Sequence, residues 1–109
     1  MISCHSELEL KNLIKQGNVL VYFYTPMCGT CELAHQFLTL VEPLFDNVTI
    51  YKCNLSYFTN LSIRYEIQSV PCAILFRNGT VLNKIYAFQS VTNIYEQLQV
   101  AYQNQEGSS

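Results

Sequence analysis

Tryptophan is absent from the 109 residues, only three prolines and four glycines interrupt them, and charged residues make up just 13%. So little charge, beside 50% hydrophobic residues, eight Tyr and six Phe, excludes a disordered chain, which is charge-rich and poor in aromatics. Basic blocks are missing too. The six Lys and Arg are scattered from Lys11 to Lys84 and the net charge is −2, so neither a nucleic-acid groove nor an anionic membrane surface has electrostatic support. The longest apolar run, Val19 to Tyr24, is far too short to span a bilayer. The N-terminus shows no basic segment followed by an apolar stretch. These absences imply a cytoplasmic protein that binds neither nucleic acid nor membrane, and the length allows one ordinary domain.

An even cysteine count is also lacking: five cysteines stand at positions 4, 28, 31, 53 and 72. A secreted disulfide scaffold normally carries an even number at higher density. In a reducing compartment the default is free thiols, with the exception of a pair built for redox or metal chemistry.

What is present reads as alternating elements. Ser6 and Glu9 have capping-box spacing, Leu10, Leu13 and Ile14 share a helical face, and Gly17 is a plausible stop. That predicts a helix over 7–16. Val19-Leu-Val-Tyr-Phe-Tyr24 is apolar without alternation, as expected of a strand buried on both faces. Leu33, Ala34, Phe37, Leu38 and Val41 then form a helical stripe that ends before Pro43. A strand over 48–53 and a short helix over 60–65 follow. The segments 73–77 and 80–86 flank Asn78-Gly79, the strongest short-range hairpin signal. A last amphipathic helix carries Val91, Ile94, Leu98, Ala101 and Tyr102. This order predicts an α/β domain over 1–104, a central mixed sheet with helices on both faces, and a disordered tail at 105–109.

The Cys28-Gly29-Thr30-Cys31 spacing is weak evidence alone, but its place adds weight. Cys28 follows a buried strand and opens a helix, and Cys31 lies one turn on. Residues three apart on a helix are neighbours, so two sulfurs can reach bridging geometry. The helix N-terminus offers unpaired N–H groups and partial positive charge, which stabilise a thiolate. Thiols in such settings have pKa values of roughly 3.5 to 7.5 against about 8.5 for a free cysteine. Cys28 is then the exposed nucleophile and Cys31 the resolving thiol.

The segment Val19-Leu-Val-Tyr-Phe-Tyr-Thr-Pro-Met-Cys-Gly-Thr-Cys31 resembles the strand, active-site loop and helix start of the thioredoxin family. Tyr65-Glu-Ile-Gln-Ser-Val-Pro-Cys-Ala-Ile-Leu-Phe-Arg-Asn-Gly79 resembles that family's downstream block. The resemblance covers essentially the whole chain. It implies the thioredoxin fold and reduction or exchange of protein disulfides by Cys28 and Cys31, with no cofactor beyond that redox-active pair. It also implies a thiol or flavoprotein reductase as electron donor, a monomer, and a cis bond before Pro71. Pro71 would pack opposite the pair, with Val70 and Met27 contributing to substrate binding.

The chain departs from the family pattern at several of these positions. Met27 stands where the family usually has Trp, Thr30 where it has Pro, and Gln36 where it has a proline in the second helix. The family's buried carboxylate maps onto Tyr22, a phenol that cannot act as a base near neutral pH. Lys52 keeps the place of the companion lysine without its acidic partner. His35, four residues after Cys31, is either a proton relay in the carboxylate's stead or a boundary histidine. Cys72 is either a second redox thiol or a small buried strand residue. Cys4 and Cys53 read as bystanders. Two other functions compete: a redox sensor or binding module with little turnover, and a metal site using Cys28, Cys31, Cys53 and Cys72.

Overall fold

Strands and helices alternate in the computed structural model as the hydrophobic pattern demands, and the structure describes residues 1–103. The tail expected at 105–109 lies outside the described residues. In chain order the elements are β1 (Ile2–Ser3), α1 (Glu7–Leu13), β2 (Asn18–Tyr24), α2 (Gly29–Val41), β3 (Val48–Asn54), α3 (Thr59–Arg64), β4 (Cys72–Arg77), β5 (Thr80–Ile85) and α4 (Val91–Gln103). Short 3-10 turns cover Glu42–Leu44 and Leu55–Tyr57.

The five strands form one sheet in the order β1-β3-β2-β4-β5. β3 pairs in parallel with both β1 and β2, while β4 runs antiparallel to β2 and β5 antiparallel to β4. β2 is thus central, which explains its lack of polar alternation: Val19 to Phe23 are all buried because both faces of the sheet are covered. One face packs Leu20, Tyr22, Ile50 and Leu75 against α2 and α4, through Ala34, Leu38, Ile94, Leu98 and Tyr102. The other packs Val21, Phe23, Cys53 and Phe76 against α1 and α3, through Leu10, Ile14 and Leu61.

Two sequence expectations need correction. Helix α1 ends at Leu13, not residue 16. Beyond it the Lys15 N–H turns back to the Asn12 carbonyl at 3.3 Å. Gly17, at φ +73°, serves a different contact: its N–H donates to Asn78 Oδ1 at 2.8 Å and its carbonyl accepts from the Asn78 N–H at 2.9 Å. The expected stop signal is therefore a clasp between the α1–β2 loop and the hairpin. The second correction is β1, which no hydrophobic pattern announced; its two residues are strand only because β3 pairs with them. The hairpin is as read, with Asn78 at φ 47° and Gly79 at φ 85°.

Candidate active site at the start of helix α2

Strand β2 ends at Tyr24, and Thr25, Pro26 and Met27 carry the chain over the end of the sheet, with Met27 97% exposed. Helix α2 begins at Gly29, and Cys28 is its N-cap, in an extended conformation at φ −137° and ψ 104°. A Ser or Asp oxygen commonly serves there; here the Cys28 sulfur accepts the Cys31 N–H at 3.2 Å. The Thr30 hydroxyl lies 3.5 Å from the same sulfur. Cys28 and Cys31 are joined in a disulfide, with Cα atoms 5.2 Å apart. The two sulfurs are unequal in access: Cys28 is half-buried, whereas Cys31 is only 4% exposed.

A cleft of about 270 Å³ opens beside the disulfide. It is lined by Tyr22, Tyr24, Thr25, Pro26, Cys28, Cys31, Glu32, His35 and Lys52 together. Three elements build it. Tyr22 comes from β2, Lys52 sits beside it in register on β3, and Glu32 and His35 come from α2. The Tyr22 ring packs 6.4 Å from the His35 ring, and its hydroxyl donates to the Cys31 carbonyl at 2.5 Å. Burial, helped by the charges of Tyr24 and Glu32, pushes the Tyr22 phenol far above its ordinary range, so it stays protonated. Tyr22 thus holds the first turn of α2 in place but takes no proton near neutral pH. The sequence reading missed this hydrogen bond and the place of Glu32 in the cleft. The register of β3 against β2 and the seating of α2 on the sheet create both, and neither is written in local spacing.

Other candidate residues fall elsewhere. The Val70–Pro71 peptide is cis, and Pro71 is buried. It precedes β4, whose first residue Cys72 is the register partner of Phe23, so it lies at the same end of the sheet as the disulfide. Cys72 is fully buried among residues packed against α1 and α3, on the sheet face opposite α2. Cys53 belongs to that same cluster. The four thiols named for a metal site are therefore not gathered, and no group of three or more His, Cys, Asp or Glu among the described residues is placed to hold a metal ion.

The geometry has counterparts among known proteins. The thioredoxin family profile matches residues 2–100. The chain belongs to the thioredoxin family. A thioredoxin-like protein of Bacillus subtilis, YusE, is 42% identical over 83 residues, covering 76% of this chain and 78% of that protein. The thioredoxin of Chlamydia pneumoniae is 29% identical over 85 residues, covering 78% and 83%. In fold, the chain resembles oxidised mitochondrial thioredoxin 3 of Saccharomyces cerevisiae, with a TM-score of 0.81, 22% identity, and coverage of 92% and 94%. It also resembles thioredoxin of Trypanosoma brucei brucei, with a TM-score of 0.83, 15% identity, and coverage of 92% and 88%. The thioredoxin fold and a paired Cys28–Cys31 make this a thiol–disulfide oxidoreductase domain at the level of the family. No helix among the described residues is long and apolar enough to cross a membrane.

Proposed function

We propose that the chain reduces disulfides of other proteins, as a monomer in the cytoplasm, and is itself recharged by a small thiol or a flavoprotein reductase. The observation that carries this reading is the unequal pair at the tip of α2: an accessible Cys28 sulfur facing the Cys31 N–H, with a nearly enclosed Cys31 behind it. In the reduced form that N–H and the Thr30 hydroxyl supply two donors to a Cys28 thiolate. The thiolate attacks one sulfur of the substrate disulfide, and the other sulfur leaves as a thiol. Cys31 then gives up its proton, attacks Cys28 of the mixed disulfide, and releases the second substrate thiol. Exposed Met27, with Val70 and Pro71 at the same end of the sheet, would receive the extended substrate segment.

A second reading, a redox sensor or binding module with little turnover, is favoured by one observation. The residue beneath Cys31 is a protonated phenol, so no carboxylate draws off the Cys31 proton from that side. Insulin reduction with a dithiol donor separates the two readings. The wild-type chain is expected to accelerate precipitation well above the uncatalysed rate, Cys28→Ser to abolish it, and Cys31→Ser to accumulate the mixed disulfide. A wild-type rate equal to the background refutes the reductase and leaves the sensor.

A further inference from the structure

A second pair of cysteines lies outside the site. Ser3 is the register partner of Lys52 in the parallel β1–β3 ladder, and the Cys4 N–H donates to the Lys52 carbonyl at 3.0 Å. That bond extends the ladder by one residue and sets Cys4 beside Cys53. Neighbouring strands lie about 4.8 Å apart, inside the roughly 4.4–6.8 Å span of Cα atoms that a disulfide bridges. Residues in register on neighbouring parallel strands point to the same face, and both cysteines belong to the cluster on the α1 side of the sheet. With both thiols reduced, the Cys4 sulfur rests 3.5 Å from the Ser6 carbonyl and 3.7 Å from Glu9 Oε1. Both are free thiols, 2% and 0% exposed, and belong to one cluster between the sheet and α1.

We propose that Cys4 and Cys53 form a second oxidisable dithiol, closed by a small-molecule disulfide such as oxidised glutathione into a bridge that fastens β1 to β3. Access comes through β1. This two-residue strand at the sheet edge, with both residues exposed, is held by its pairing to β3 and by the Met1 ammonium on Glu42 Oε1 at 2.8 Å. Such a short edge segment opens before the core does. Opening uncovers Cys4 first; Cys53 stays on the longer β3. The Cys4 thiolate attacks the small disulfide, whose S–S bond breaks and releases one equivalent of thiol. Cys53 then loses its proton and attacks the Cys4 sulfur, the mixed bond breaks, and a second equivalent of thiol leaves. Two electrons pass from the protein thiols to the oxidant, and both protons end on the released thiols. The product closes residues 4 to 53 into a covalent loop that contains the whole of α2 and the Cys28–Cys31 pair.

The test uses the full chain carrying Cys28→Ser and Cys31→Ser, which leaves Cys4, Cys53 and Cys72 as the only thiols. After incubation with excess oxidised glutathione under native conditions, the protein is unfolded, alkylated and mapped by mass spectrometry. The expected result is one alkylated thiol, Cys72, and a linked peptide joining Cys4 to Cys53. The urea midpoint should rise on oxidation and return with dithiothreitol. The added variant Cys53→Ala should stop at a glutathione adduct on Cys4. Three alkylatable thiols, a lasting adduct in place of the bridge, or a crosslink through Cys72 would overturn the proposal. Should a variant fail to fold, the wild-type chain oxidised at Cys28–Cys31 gives the same map, where the Cys4–Cys53 peptide must appear beside the active pair.

Discussion

Tyr22 concentrates the chemistry that distinguishes this thioredoxin-family member. Its hydroxyl meets the Cys31 carbonyl, and burial keeps it protonated. Tyr22→Phe leaves that buried carbonyl short of a donor, so a loss of about 1–2 kcal/mol in urea unfolding is expected. Turnover near neutral pH should change little, because a group that carries no proton away is not missed. His35 is a different matter: its ring lines the cleft with Cys31, and among the described residues it makes no side-chain hydrogen bond. His35→Ala is expected to slow the resolving step roughly tenfold or more while leaving iodoacetamide labelling of Cys28 unchanged; equal insulin turnover would make His35 a boundary residue. Cys28 and Cys31 were legible because the signal is local, a buried strand followed at once by a helix start. The meeting of Tyr22, Lys52 and His35 beside Cys31 came from the family resemblance and the i,i+4 spacing of His35. Glu32 in the cleft and the Tyr22–Cys31 hydrogen bond depend instead on how α2 sits across the sheet, which no local pattern encodes.

Among the elements, the β4–β5 hairpin and the α1–β2 loop depend on each other. Asn78 supplies the turn and also clasps Gly17 from both its side chain and its backbone. Gly79 holds φ +85°, and a Cβ there would meet Lys15 Cα at 3.7 Å, an ordinary contact. The cost of Gly79→Ala is therefore in the backbone, about 1–2 kcal/mol, expected as a lower urea midpoint with an unchanged slope. Helix and strand boundaries followed the sequence wherever an apolar stripe or a turn dipeptide marked them, as for α2 and the hairpin. They departed where partners decided the outcome: β1 has no pattern of its own, and α1 yields its last turn to the clasp.

The molecule as a whole buries three thiols on one face of its sheet, and this makes it sensitive to alkali. Burial pushes the Cys72 thiol up to about 11, offset in part by Tyr86 and the Lys84 charge, and raises Cys4 and Cys53 as well. Below about pH 9 the folded and unfolded chains both keep these protons and stability is intact. Above it the unfolded chain releases protons that the folded chain retains, and stability falls, Cys72 alone accounting for about 2–3 kcal/mol by pH 11. Urea midpoints under reducing conditions should drop between about pH 9 and 11, less steeply in Cys72→Ala. The sheet order has a further consequence for how the chain works. β2, shielded by a strand on each side and helices above and below, is the segment least able to open, yet its last residue stands only four positions before Cys28. The chain passes from its most protected backbone to its reactive tip within about one turn's length, so electrons can be taken up and handed on at the rim while the interior keeps its shape.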